Sequence, residues 1–313
     1  MIAAIDIGGT KIAAGLVDEQ GRAAARTESP TDAQRGYANA LDRICQMLRQ
    51  SSEQAGVEIS GIGIGATGPI DPFVGTFGDV NFLPGWEGEN IVRDLEKEFR
   101  VSVAMENDAD AAALGEAGWG AGKDKSRLIY VTVGTGIGVA LVIDGQLYRG
   151  VGEAHPEMGH HVIDPSGPQC LCGFRGCWES LAAGPAMVEW LASQAPQDYP
   201  HRTELDAKRV CELALNGDRL AVLAVERETR YLGMGMANLV TMFAPDVIVL
   251  GGSVMKSAGL FLHGVREIIR TCCRYVPFEK TEITLASLGD DANFVGAARV
   301  WYHRFAQGGK RAS

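Results

Sequence analysis

The chain has 313 residues, 46% hydrophobic and 22% charged, an ordinary globular composition that excludes a disordered or fibrous protein and gives length for two lobes. With 29 basic against 39 acidic residues the net charge is -10, so nothing electrostatic points to a nucleic acid or an anionic membrane as partner. The opening MIAAIDIGGT puts Asp6 where a signal peptide needs unbroken apolar sequence, and the longest apolar run, Ile129 to Ile143, falls short of the ~20 residues that span a bilayer. A cytoplasmic protein without a membrane span is expected.

In chain order, Ala3 to Asp18 reads as a strand, a Gly-rich turn and a second strand. Tyr37, Leu41, Ile44 and Leu48 recur at helical spacing and predict an amphipathic helix from about Asp32 to Ala55. Ile59 to Ala66 reads as a strand running into Thr67-Gly68-Pro69. Val101 to Met105 is another short β-rich run, ending in Glu106-Asn107-Asp108 before an alanine-rich helix, Ala109 to Gly118. Polar residues at a strand's carboxyl end are site candidates, although taken alone Asn107 or Asp108 is accounted for as the helix N-cap. Arg219 to Phe243 predicts a long helix stopped near Pro245, and Val247 to Leu250 a buried strand running into Gly251-Gly252-Ser253. Phe294 to Phe305 predicts a closing helix. The alternation of helical and strand patterns argues for an α/β architecture.

The first hairpin is repeated. Ile129 to Asp144 has the same strand-turn-strand form 126 positions after Ala3, with Thr132-Val133-Gly134-Thr135-Gly136 lying over Asp6-Ile7-Gly8-Gly9-Thr10 and Asp144 over Asp18. Glycines beside a hydroxyl let backbone N–H groups approach an anion closely, so two such turns facing each other would clamp a polyphosphate between two lobes. Other nucleotide motifs fit poorly. Gly134 to Val139 lacks the last glycine of G-x-G-x-x-G, and no G-x-x-x-x-G-K-[ST] occurs.

Seven cysteines form an odd, uneven set unsuited to a disulfide framework. Three of them, Cys170, Cys172 and Cys177, follow Glu157-Met158-Gly159-His160, and one imidazole with three thiolates supplies a closed tetrahedral structural site that suits zinc. His161 is an alternative fourth ligand. A metal there would staple a loop with few apolar side chains of its own.

Together, Asp6 to Lys11, Glu106-Asn107-Asp108, Gly134 to Gly138, Glu157-x-Gly-His160, Cys170-x-Cys172-Gly-x-x-Gly-Cys177-x-Glu179, Gly251-Gly252 and Asn293-x-x-Gly296-Ala297-Ala298 resemble the ROK family of sugar kinases and sugar-responsive repressors. The resemblance runs nearly end to end. It implies an actin-like (ribonuclease H-like) ATPase fold of two duplicated lobes with a cleft between them, ATP and Mg²⁺ in that cleft, and a sugar bound between the lobes. The lobes would comprise 1–115 plus 298–313, and 116–297 with the zinc-binding loop 157–180.

Carried over residue by residue, the resemblance makes Asp108 the catalytic base and gives sugar contacts to Asn81, Asn107, Asp108, Glu157, His160 and Glu179. His160, Cys170, Cys172 and Cys177 would hold structural Zn²⁺, with the second His160 nitrogen turned to the sugar. Gly8, Gly9, Thr10, Lys11, Gly134, Thr135 and Gly136 would line the phosphates, Gly251 and Gly252 the adenosine, and Asp6 would reach Mg²⁺ through water. Where the family usually continues with glycine after Gly138, this chain has Val139-Ala140, and alternation from Val133 and Ile137 turns Val139 back into the hairpin. The Asn81 to Trp86 and Gly176 to Glu179 stretches look like the glucokinase branch, so glucose is the first expectation, with N-acetylmannosamine and related hexosamines as alternatives. A repressor would add an N-terminal DNA-binding domain, for which nothing before Asp6 leaves room, and a non-catalytic sugar-sensing regulator is the other rival class. A homodimer or homotetramer is expected from the family.

Overall fold

The computed structural model describes residues 1–199 and 202–306. The closing segment of the expected first lobe, 298–313, therefore extends past the described residues at 307–313. The strands are β1 (Ile2–Ile7), β2 (Lys11–Val17), β3 (Ala23–Pro30), β4 (Gly61–Ala66), β5 (Ile70–Asp71), β6 (Thr76–Phe77), β7 (Val103–Asn107), β8 (Arg127–Val133), β9 (Ile137–Ile143), β10 (Gln146–Leu147), β11 (Val247–Gly251) and β12 (Glu282–Leu285). The α-helices are α1 (Tyr37–Ala55), α2 (Ile91–Phe99), α3 (Asp108–Trp119), α4 (Trp178–Ala182), α5 (Gly184–Gln194), α6 (Ala207–Leu215), α7 (Arg219–Phe243), α8 (Leu262–Cys272) and α9 (Ala292–Trp301).

Two five-stranded mixed sheets have the same order. The first runs β3-β2-β1-β4-β7 and the second β10-β9-β8-β11-β12, so each sheet reads third, second, first, fourth, fifth in its own chain order. In the first, β1 pairs antiparallel with β2 and parallel with β4. In the second, β8 pairs parallel with β11, and β9 antiparallel with β10. This is the duplicated α/β architecture of the actin-like fold, and the repeated hairpin in the sequence marks it. The chain divides into one unit of Met1–Ser126, Leu141–Tyr148 and Ala286–Ser313, and a second of Arg127–Ala140 and Arg149–Leu285.

Strand alternation distributes the core of the first unit over both faces of its sheet. Ile5, Ile7, Ile12, Leu16, Ile62 and Ile64 pack with Ile44 and Leu48 of α1, Leu95 of α2 and the buried Trp86. On the other face Ile2, Ala4, Ala13 and Val17 meet Phe294, Val295, Ala297 and Ala298 of α9. β4 is Gly-Ile-Gly-Ile-Gly-Ala for this reason. Its isoleucines fill the α1 side, whereas a Cβ at Gly63 would come within 1.9 Å of the Ala297 carbonyl, so glycine there lets α9 lie directly on the sheet. Asp6 alternates onto the α9 side at the carboxyl end of β1.

Several expected boundaries move, the strands expected over Ile59 to Ala66 and Val101 to Met105 running over Gly61–Ala66 and Val103–Asn107. The helix predicted from Asp32 begins as a 3₁₀ turn, Ala33–Arg35, is broken at Gly36 with φ 82°, and becomes α-helical at Tyr37. Chain past Gly36 carries the apolar periodicity; chain before it belongs to a turn. The closing helix starts two residues early and passes at Tyr302–Ala306 into a π-helical turn. α7 and the strand at Val247 lie where the sequence predicts them. No helix among the described residues is long and apolar enough to cross a membrane.

Candidate active site

In the first unit, β7 delivers Asn107 and Asp108 to the start of α3. The Asn107 side chain accepts from the Ala109 N–H at 2.9 Å and caps the helix; Asp108 Oδ1 accepts from the same N–H at 2.8 Å. The cap fixes the Asp108 carboxylate on a helix N-terminus. Glu106, two residues before Asp108, is fully buried and ion-paired with Arg304 at 3.1 Å, so the less buried carboxylate of this triplet is Asp108.

Asp6 is the electrostatic neighbour of Asp108. Burial, and then the Asp108 charge, push the Asp6 carboxyl up to about 7, against the pull of Lys11 and Arg26. The turn that follows, Gly8-Gly9-Thr10, closes through a Gly8 N–H donated to the Lys11 carbonyl at 2.9 Å. Thr31 braces it from outside, its hydroxyl donating to the Gly8 carbonyl at 2.6 Å and its N–H to the Thr10 carbonyl at 2.9 Å. Lys11 is exposed and pairs with Glu28 at 2.7 Å, and Asn81 lies exposed in the loop between β6 and α2.

In the second unit the Gly134-Thr135-Gly136 turn joins β8 to β9 and closes through Gly134 N–H to the Gly136 carbonyl at 2.9 Å. Glu179 lies directly against it: Oε2 accepts from the Ile137 N–H at 2.9 Å, and a Cβ at Gly136 would stand 2.4 Å from that oxygen. Val139 is buried, turned into the hairpin as its alternation requires. A cavity of about 480 Å³ opens beside Gly134 and Thr135, walled by Pro185, Val188, Leu205 and Ser253. Gly252 adjoins it through Ser253, whereas Gly251 is buried at the end of β11.

His160, Cys170, Cys172 and Cys177 converge, their ligand atoms all within 4.8 Å of one another. His160 Nδ1 faces Cys170 Sγ at 3.4 Å, and its Nε2 faces Glu179 Oε1 at 3.9 Å. His161 is engaged elsewhere: Nδ1 donates to the Met158 carbonyl at 2.6 Å and the ring leans on Trp178, which leaves His160 as the imidazole of the cluster. Glu157, exposed, heads the 3₁₀ turn that carries His160.

Comparison with known proteins follows the same residues. The ROK family profile matches residues 2–304. The chain belongs to the ROK family. It is 30% identical over 304 residues to a glucokinase of Thermotoga maritima, with 95% of each chain covered. Its structure is similar to a ROK hexokinase from Thermus thermophilus (TM-score 0.83, 34% identity, 98% of this chain and 99% of the other). It is also similar to a ROK family glucokinase from Streptomyces griseus in complex with glucose and AMPPNP (TM-score 0.79, 34% identity, 95% and 97%).

In this ROK chain the thiol-imidazole cluster fits a tetrahedral cation. Zinc with thiolate bonds of ~2.3 Å needs donors roughly 3.7 Å apart; Cys172 and Cys177 Sγ stand at 3.4 Å. Burial, and then the neighbouring Cys172 and Cys170 side chains, push the Cys177 thiol up to about 12, and a cation at this point would favour its thiolate. The described cysteines are all free of disulfides. Two residues of this site carry no sequence motif. Thr31 reaches the first turn only because β2 and β3 pair Lys11 with Pro30, and Arg304 reaches Glu106 from the far end of the chain.

Proposed function

We propose that this chain transfers the γ-phosphoryl group of ATP to the 6-hydroxyl of a hexose, with glucose as the preferred acceptor and Asp108 as the base. That it is an ATP-dependent sugar kinase of the ROK family rests on the match along 2–304 and on the likeness to ROK kinases over nearly the whole chain. The observation that carries the mechanism is the Asp108 carboxylate at the start of α3, beside Asp6 and near a Gly-rich turn.

A hexose hydroxyl is a poor nucleophile at neutral pH, and a carboxylate accepting its proton as the O–P bond forms supplies the missing step. Asp108 needs no covalent adduct for this. The N–H groups of Gly9, Thr10, Thr135 and Gly136 would bind phosphate oxygens, with the Gly8 and Gly134 N–H groups closing the two turns and Lys11 adding charge after leaving Glu28. The cavity beside Thr135 is the right size for a nucleoside, and Gly252 would border it through Ser253, with Gly251 behind at the buried end of β11. Asp6 would hold Mg²⁺ through water, and that ion when bound neutralises phosphate charge.

Asn81, Asn107, Glu157, His160 and Glu179 would hold sugar hydroxyls. The 3.9 Å between His160 Nε2 and Glu179 Oε1 supports this, since a hydroxyl can accept from one and donate to the other. Zinc held by His160 Nδ1 and the three cysteines would fix the tautomer that leaves Nε2 for the sugar. The glucose preference is supported by the Streptomyces griseus relative's complex with glucose and by the glucokinase relatives.

An ADP-release assay with Mg-ATP against glucose, mannose, N-acetylmannosamine, N-acetylglucosamine and fructose tests the proposal. Turnover highest on glucose is expected. Higher kcat/KM on N-acetylmannosamine would move the assignment to an N-acetylhexosamine kinase, and folded, zinc-loaded protein turning over none of them would end the kinase reading.

A further inference from the structure

Glu179 touches two things that the sequence presents as separate motifs. It lies in the first turn of α4, two residues after the ligand Cys177, and α4 is anchored by Trp178, which is fully buried against Gly235 of α7. One carboxylate oxygen, Oε1, faces His160 Nε2 at 3.9 Å, and the other nitrogen of that ring faces Cys170 Sγ at 3.4 Å. The second oxygen, Oε2, accepts the Ile137 N–H, the first peptide group of β9 after the Gly134-Thr135-Gly136 turn. Ile137 is 3% exposed, so this N–H has no access to water in place of the carboxylate. On its opposite side the turn is held by the Gly184 N–H, which donates to the Gly134 carbonyl at 2.8 Å.

We propose that Glu179 is a positioning residue that couples metal loading of the His160-Cys170-Cys172-Cys177 cluster to nucleotide binding at the Gly134 to Gly136 turn. The inference rests on reading that turn as a phosphate turn for ATP. With the cluster loaded, the cysteines fix α4 through Cys177 and the imidazole through Nδ1. Oε2 of Glu179 is then held on the Ile137 N–H while Oε1 faces the fixed imidazole at 3.9 Å, an electrostatic contact, and the Ile137 N–H and the turn before it are held in one position. Without the cation, Cys177 and His160 lose their common anchor, Glu179 gains freedom, and the turn's N–H groups lose their fixed aim at a phosphate. The metal thereby acts on the nucleotide without touching it, through the His160 imidazole and the Glu179 carboxylate that faces it.

The test is calorimetric binding of Mg-ADP, with no sugar present, to wild type, Glu179→Ala and Glu179→Gln, each zinc-loaded and chelator-stripped. Stripping wild type should weaken ADP about tenfold, the size of one lost hydrogen bond to a charged group. Loaded Glu179→Ala should be as weak as stripped wild type and indifferent to stripping, and loaded Glu179→Gln, whose amide carbonyl still accepts from Ile137 while its amide nitrogen faces the His160 Nε2–H, should fall between the two. Loaded Glu179→Ala binding ADP like wild type, or substitution and stripping weakening it multiplicatively, overturns the coupling while leaving the kinase reading intact. Wild type that binds no ADP in either state overturns the nucleotide reading, and the coupling with it. A second measurement uses no variant: amide exchange over 131–140 should accelerate on stripping, and protection there unchanged by metal also sinks the proposal.

Discussion

The Thr31 hydroxyl donates to the Gly8 carbonyl at 2.6 Å, across 23 residues of chain, and the Thr31 N–H donates to the Thr10 carbonyl two positions on. Thr31 is fully buried and so cannot itself touch a substrate. Its effect is to hold both carbonyls of a turn that the Gly8 N–H closes on the Lys11 carbonyl, which leaves the Gly9 and Thr10 N–H groups as the ones available to a ligand.

Thr31→Val keeps the shape and the backbone bond but removes the hydroxyl, leaving the Gly8 carbonyl short of that donor. Stability should fall by about 1 kcal/mol, read as a lower melting temperature. If the turn binds phosphate as proposed, KM for ATP should rise several-fold with kcat little changed, because that role takes no proton. An unchanged KM would show that the turn holds its shape without Thr31.

The neighbouring carboxylates Asp6 and Asp108 divide the work by charge. Burial and the Asp108 charge raise Asp6 from 3.8 to about 7, so below that pH Asp6 is neutral and holds a hydrated cation poorly. kcat/KM for Mg-ATP should therefore rise with pH through about 7, and Asp6→Asn should lose that limb. Asp108→Asn should reduce kcat by roughly 10² to 10⁴ while sugar binding, measured by calorimetry, stays nearly intact. It also removes the charge that helps raise Asp6, so the residual activity should show its limb at lower pH. A variant retaining most of its kcat would remove Asp108 as the base.

Much of this was legible in the sequence because it is local. The two hairpins share a strand-turn-strand pattern, α7 has helical periodicity with a proline beyond its end, and His160 to Cys177 is a compact ligand set. The parts that were not legible depend on residues far apart meeting. Thr31 carries no motif, and its place beside Gly8 follows from the β2-β3 register. Glu106 reads like its neighbours Asn107 and Asp108 until Arg304, 198 residues later, is found on it. Glu116, buried in α3, accepts from the N–H groups of Ala121, Ser287 and Leu288, a clamp between remote segments that periodicity reports only as helix. The choice of His160 over His161 depended on the Met158 carbonyl and the Trp178 ring, which spacing alone does not specify.

Cys172 is the exposed member of the candidate metal cluster and Cys272 an exposed cysteine outside it, which gives a matched pair of substitutions. Cys172→Ser should lower bound zinc well below one per chain, measured by elemental analysis, and lower the melting temperature. Cys272→Ser should do neither. The physical reason is that four donors close the site and three thiolates without a cation repel one another, so loss of one ligand removes folding free energy from the loop that carries Glu157 and Glu179. Full zinc occupancy in Cys172→Ser would exclude this sulfur from the set.

Glu228 is fully buried in α7, and neither of its carboxylate oxygens has a hydrogen-bond partner among the described residues. Burial raises its pKa well above 4.5, and Arg227 lowers it only in part. The sign follows from proton counting. Above about 4.5 the unfolded chain has released the proton that the folded chain still holds, so the folded state binds more protons and stability falls as pH rises toward the raised value. Glu228→Gln stays neutral and occupies nearly the same volume. The two proteins should melt together at pH 4, with the variant increasingly the more stable as pH rises to 8. A melting difference that is constant across that range would mean that Glu228 is ionised and compensated in the folded chain, and that the carboxyl is held in a different hydrogen-bonding state from the one described.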